Sequence, residues 1–127
     1  MPLVRIDFIK HPDPERGRKI GKVVYAALTG VIGVPANDNF QLITEHERDH
    51  FVYDPGYLGI ERSDGLVYIQ ITLNEGRTTE LKQALFRAIA DGLAQQLGMR
   101  QEDVFIYLVE VRKENWSFGN GVAQYAG

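Results

Sequence analysis

The chain contains no cysteine, so disulfides, thiolate nucleophiles and cysteine-held metals are excluded by inventory, and the redox compartment cannot be read from cysteine usage. Long apolar runs are missing too. No stretch approaches the roughly 20 apolar residues of a membrane span. The opening Met1-Pro2-Leu3-Val4-Arg5-Ile6-Asp7 also lacks the basic region and continuous apolar core of a signal peptide. These absences predict a soluble, cytoplasmic protein with no membrane partner. Nor does one sign of charge dominate: 14 basic residues face 17 acidic ones for a net charge of -3, with no like-charge run suited to a phosphate backbone. No nucleic-acid partner is expected. Proline is scarce, with five in 127 residues, and one of the five directly follows Met1.

What is present suffices for one core. A chain of 127 residues that is 44% hydrophobic falls in the usual single-domain range, so residues 1–127 are expected to form one domain. Displacing the sequence by 65 positions against itself places Gly33, Val34, Asp38 and Phe40 on Gly98, Met99, Asp103 and Phe105. Ile20, Val23, Val24, Ala27 and Leu28 then fall on Leu85, Ala88, Ile89, Gly92 and Leu93, and Val4, Ile6 and Phe8 fall on Ile69, Ile71 and Leu73. A shared strand, helix, Gly and Asp-x-Phe in one register reads as an internal repeat, spanning about residues 2–45 and 66–111.

Each half reads as strand, helix, strand. Val4, Ile6 and Phe8 alternate with Arg5 and Asp7, and Phe40 to Thr44 forms a second short run. Between them, Asp13 is placed as N-cap with Pro14 at the first helical position. The apolar stripe at 20, 23, 24, 27, 28 and 31 keeps helical spacing, and Gly33 with Pro35 ends it. In the second half, Leu66 to Leu73 and Val104 to Val111 are nearly continuous apolar runs, as in strands covered on both faces. Thr78 or Thr79 caps the intervening helix and Gly98 closes it. The predicted fold is α/β, in the two-layer sense: a tandem βαβ repeat giving a four-stranded sheet with two helices on one face. The turn-rich stretch from about His46 to Gly65 is expected to form a small hairpin or loop excursion. The uncovered sheet face predicts a homo-oligomer.

Pro2 after the initiator, the tandem βαβ, Gly33-Val34-Pro35-Ala36-Asn37-Asp38, Arg77-Thr78-Thr79-Glu80 and Asn115-Trp116-Ser117-Phe118-Gly119 together resemble the tautomerase superfamily. The likeness is closest to its malonate semialdehyde decarboxylase-like branch and covers essentially the whole chain. It implies a homotrimer with sites near subunit boundaries, a catalytic N-terminal proline freed by removal of Met1, small carboxylated substrates and no metal or organic cofactor. One departure stands out. The decarboxylase pattern carries Arg-x-Arg before the second helix, whereas this chain reads Asn74-Glu75-Gly76-Arg77. Only Arg77 carries over, and Glu75 at or beside the other position would oppose anion binding.

Proline is the only residue whose free α-amine is secondary, and burial disfavours the cationic form of any amine. From a reference of about 7.7 to 8, a modest shift places such an amine near the working pH; otherwise Pro2 merely precedes an edge strand that tolerates a missing N–H. Arg77, directly before the second helix, would join the free N–H groups there in holding a carboxylate, or else is a solvated loop arginine. Asp38 resembles the family carboxylate that orients water or the proline amine, yet Asp after Asn37 also suits a turn. Trp116 and Phe118 could wall off a substrate site or pack the C-terminal tail on a neighbouring subunit.

Two motifs are set aside. His46-Glu47-Arg48-Asp49-His50 has zincin spacing, but it follows a strand, where residues four apart are separated by roughly 13 Å, too far for one tetrahedral ion. No metal site is expected. Gly119-x-Gly121 has no strand-to-helix transition to make a phosphate loop.

Three readings follow. The first is an isomerase moving a proton in a small 2-oxo or enolic carboxylic acid, with Pro2 as general base and Arg77 as carboxylate anchor. The second is a malonate semialdehyde decarboxylase- or hydratase-like lyase with cationic Pro2 and water positioned by Asp38. The third is a non-enzymatic, ferredoxin-like oligomeric ligand-binding module.

Overall fold

A computed structural model describes residues 2–126. Strand β1 (Leu3–Ile9), helix α1 (Arg16–Ile32) and strand β2 (Phe40–His46) form the first unit. Strand β3 (Val67–Asn74), helix α2 (Thr79–Leu97) and strand β4 (Val104–Val111) form the second. The sheet order is β2-β1-β3-β4. Each unit pairs its own two strands in parallel, and the units join through the antiparallel pair β1–β3. A ferredoxin-like split βαβ would insert a strand between β1 and β2, and their direct pairing excludes it.

The alternation of β1 and β3 decides which face the helices cover. Val4, Ile6 and Phe8 with Val67, Ile69, Ile71 and Leu73 are buried against Ile20, Val23, Val24, Ala27 and Leu28 of α1 and Leu85, Ile89 and Leu93 of α2. Helix α1 seats closely on β2. A Cβ at Gly17 would collide with Ile43, and one at Gly21 with the Gln41 carboxamide, whose Nε2 donates to the Gly21 carbonyl at 2.9 Å. The two helices meet where Gly92 admits Val23, whose Cγ1 would lie 2.7 Å from an added Cβ.

The boundaries differ from the sequence reading in physically instructive ways. Helix α1 begins at Arg16, with Glu15 rather than Asp13 at the N-cap. Asp13 instead closes a turn before the helix: its Oδ1 accepts from Glu15 N–H at 2.9 Å and its carbonyl from Arg16 N–H at 3.2 Å. Thr78 does cap α2, accepting from Leu81 N–H at 3.2 Å. Gly33 and Gly98 end the helices in the left-handed conformation, at φ 70° and 66°. Strand β2 runs two residues beyond Thr44, to His46, because His46 Nε2 pairs with Asp7 Oδ1 at 2.7 Å beside the final rung. The His46–His50 string therefore spans a strand end and a 3-10 turn, Arg48–His50, not a helix.

Residues 47–66 form no hairpin. They make an excursion with two 3-10 turns, held by Asp64, which accepts from Arg48 Nε and Tyr53 Oη, each at 2.7 Å. These bonds, Arg48's first, hold the Asp64 carboxyl below its ordinary range. The excursion lays Phe51 flat on Tyr68, with ring centroids 4.7 Å apart, while Tyr68 Oη donates to the Val52 carbonyl at 2.7 Å.

The other sheet face is left uncovered by this chain, as two helices on one face imply. Strands β3 and β4 are not covered on both sides within the chain; Phe40, Leu42, Phe105, Tyr107 and Val109 all stand exposed. Their apolar runs arise because the second face is apolar without being buried by this chain's own elements. Among the described residues, no helix is long and apolar enough to cross a membrane.

Asp103, the repeat counterpart of Asp38, has a structural role the sequence did not reveal. At 3% exposure it accepts from Ser63 N–H at 2.8 Å and Ser63 Oγ at 2.5 Å, with Arg100 Nη1 at 3.5 Å. Nearby, Arg16 donates to the Gly65 carbonyl at 2.9 Å and lies over the Phe8 ring. Burial pulls the Arg16 pKa down, and the Asp103 and Asp13 charges oppose that shift. Asp103→Ala would leave the part-buried Ser63 N–H and Oγ without their acceptor and is expected to lower the unfolding free energy by about 1 to 3 kcal/mol, measured as a shift in the urea midpoint.

Candidate active site

The antiparallel join brings the start of β1 and β2 to the same end of the sheet as the finish of β3 and β4. In register, Leu3 sits between Phe40 and Thr72, and Thr72 pairs on with Val109. Pro2, Asp38, Arg77 and Trp116 all lie just outside these strand ends. Residues from four separate stretches of chain thus converge on one edge.

Pro2 is buried directly before β1. Met1, whose removal the resemblance requires, lies outside the described residues. Asp38 is carried by a turn that begins at the Gly33 cap. Its N–H donates to the Pro35 carbonyl at 3.2 Å, and the left-handed Asn37 donates its own N–H to Tyr25 Oη at 3.1 Å. The turn bonds account for the Asn-Asp pair, while the carboxylate itself is part-buried with Oδ1 enclosed. Both readings of Asp38, turn residue and site carboxylate, are therefore compatible in one geometry.

Arg77 is half-buried and does not stand free in solvent. After β3 the Glu75 N–H donates to the Val111 carbonyl at 2.9 Å, Gly76 takes φ 117°, and Arg77 turns back so that Nη1 donates to the Asn74 carbonyl at 3.0 Å. That φ belongs to the region open mainly to glycine, so Gly76 makes the return possible. Glu75 is exposed. Immediately after Arg77, the capped start of α2 adds the partial positive charge of its first turn.

The aromatic pair forms as a unit. Trp116 and Phe118 stack at 5.3 Å, and Phe118 meets Tyr125 edge-on at 4.9 Å. Gln124 ties the tail back, accepting from Phe118 N–H and donating to the Gly119 carbonyl, each at 3.0 Å. Trp116 is anchored to the sheet by Nε1, which donates to Asn74 Oδ1 at 2.7 Å. The sequence reading gave Asn74 no role of its own. Its position as the last residue of an apolar strand run was the available signal, because a polar residue there is buried by the chain crossing over it.

A sequence pattern described as tautomerase enzyme matches residues 38–119, and a second of the same description matches residues 2–59. The chain belongs to the tautomerase family of enzymes. It is 44% identical over 124 residues to a protein named probable tautomerase YusQ of Bacillus subtilis (strain 168), covering 98% of both chains. Among solved structures it resembles a malonate semialdehyde decarboxylase inhibited by 3-bromopropiolate, at TM-score 0.90 and 40% identity, covering 97% of this chain and 93% of that one. A structure described as a fused 4-OT wild-type symmetric trimer matches at TM-score 0.78 and 26% identity, covering 98% of each. The family and its decarboxylase-like branch are thus those the sequence motifs indicated.

Proposed function

We propose that this enzyme catalyses proton transfer between oxygen and carbon in a small 2-oxo or enolic carboxylic acid, with Pro2 as general base and Arg77 as carboxylate anchor. The observation that carries the reading is the burial of Pro2 at the sheet end where Arg77 folds back beside the start of α2. Desolvation favours the neutral amine, which can accept a proton; the guanidinium and helix start favour the anionic end of the substrate. The stacked Trp116 and Phe118 exclude water from the same edge and strengthen both effects. The whole requires Met1 to be absent, since an amide nitrogen cannot titrate.

A second reading is decarboxylation or hydration of a three-carbon oxo-acid, favoured by the 40% identity to a malonate semialdehyde decarboxylase. In it Pro2 stays cationic under the influence of Asp38 and polarises the carbonyl. The exposed apolar sheet face supports assembly as a homotrimer, in line with the trimeric relative. Sedimentation equilibrium should give three times the chain mass, and a stable monomer at micromolar concentration would contradict the assembly.

Two variants test the chemistry. Protein forced to retain Met1, or carrying Pro2→Ala, should lose most of kcat while unfolding at the wild-type urea concentration; full activity with Met1 retained would remove Pro2 from the mechanism. Arg77→Ala should raise KM for carboxylated substrates by an amount corresponding to about 1.5 to 3 kcal/mol, the range for a hydrogen bond to a charged group. Unchanged kinetics would return Arg77 to a loop role.

A further inference from the structure

The geometry points to a second, non-catalytic anion site at the end of the sheet opposite Pro2: we infer that Arg16, supported by Lys19 and His11, binds a small carboxylate in a groove of about 440 Å³. The groove lies where the loop before β3 meets the C-terminal end of α2, beside Gly65 and Gly98. In the internal repeat Val67 takes the place of Pro2 at this end, so no N-terminal amine serves it. Binding here is therefore separate from the proposed proton transfer.

Arg16 carries the inference. It is only 7% exposed, although a guanidinium holds more N–H donors than any other side chain. The chain engages one of its nitrogens, Nη2, which donates to the Gly65 carbonyl at 2.9 Å, and the Phe8 ring covers one face at 5.0 Å. Among the described residues no carboxylate pairs with it and neither Nε nor Nη1 has an acceptor, yet neither is sealed from solvent. These donors therefore open on the groove that Arg16 lines. A buried cation without a counter-ion is costly, and an anion in the groove supplies one.

The neighbouring groups suit a single negative charge. Asp13 and Asp103 also line the groove, but their oxygens already accept from Glu15 N–H and Lys19 Nζ, and from Ser63 N–H and Oγ. Lys19 is paired with Asp13 and Arg100 with Asp103, so Arg16 is the cation left over. His11 Nδ1 accepts from Asp13 N–H at 3.0 Å, which puts the hydrogen of the neutral ring on Nε2 as a further donor. A planar carboxylate matches both the single charge and the guanidinium fork. A dianion would bring an unmatched charge close to Asp13 and Asp103.

Titration with acetate at constant ionic strength tests this, followed by the backbone amide signals of Gly65 and Gly98 in nitrogen–proton NMR spectra. Both should shift saturably. Chloride, and phosphate at about pH 8 where it is a dianion, should bind about tenfold more weakly. No saturation beyond that seen with chloride, or phosphate bound as tightly as acetate, would overturn the inference. Arg16→Lys keeps the charge but loses the fork, and acetate affinity should fall about tenfold. Should that variant fail to fold, Lys19→Gln, at an exposed position, replaces it. This change frees the Asp13 charge and should weaken acetate by about tenfold as well. Unchanged affinity in the variant measured would overturn the site. The indole signal of Trp116, the sole tryptophan, reports acetate at the other end of the sheet separately.

Discussion

The antiparallel pairing of β1 with β3 is the constraint on which the remaining architecture depends. Within each βαβ unit the parallel strands begin at one end of the sheet and finish at the other. Had the two units joined in parallel, Pro2 and Arg77 would stand at opposite ends, because one precedes its strand and the other follows. Reversal across the Leu3–Thr72 register brings them to one edge. The same reversal stacks both helices on a single face, which closes the core and leaves the other face apolar and open. The gathering of Pro2 and Arg77 at one end of the sheet and the open apolar face are thus two results of one pairing.

The reversal also gives the molecule two similar ends with different fates. At each, an aspartate sits just before a parallel strand, after a helix ended by a left-handed glycine. Asp103 is locked by Ser63 and Arg100, with Arg16 close by, which ties the excursion loop to the second unit. Asp38 lies at the sheet edge that carries the buried Pro2. One local design serves as a structural clamp at one end and, under the proposed chemistry, as part of a reaction centre at the other. The difference lies in what the chain brings past it.

Much of this was legible in the sequence because it rests on local periodicity. The stripe at Ile20, Val23, Val24, Ala27 and Leu28 and the alternation of Val4, Ile6 and Phe8 report burial directly, and both match the packed core. The start of α1 was misplaced because Asp13 can bond the next N–H groups equally well from a turn. The path of residues 47–66 depended on pairings 11 to 16 residues apart, Arg48 and Tyr53 with Asp64 and Tyr68 with Val52, which local turn signals cannot reveal. Pro2, Asp38, Arg77 and the Trp116–Phe118 pair could be named from motifs. Asn74 was marked in the sequence only as a polar residue ending an apolar strand, since its two hydrogen bonds form after the chain has folded back over it.

In the proposed mechanism burial keeps Pro2 an unprotonated base in a site that nevertheless welcomes an anion. Opposing influences act on the same nitrogen: desolvation and the guanidinium at the same edge disfavour its cation, whereas the Asp38 carboxylate favours it. Their balance decides between proton transfer and the lyase chemistry of the decarboxylase-like relative. The most direct measurement is the pH dependence of kcat/KM for an enolic 2-oxo acid, using protein with a verified proline N-terminus, because it reports ionisation in the free enzyme. With desolvation dominant, activity should fall as acid protonates Pro2, and the controlling pKa should lie below that of an ordinary α-amine. Activity that rises as Pro2 gains its proton would contradict this and assign the site to acid-assisted decarboxylation or hydration.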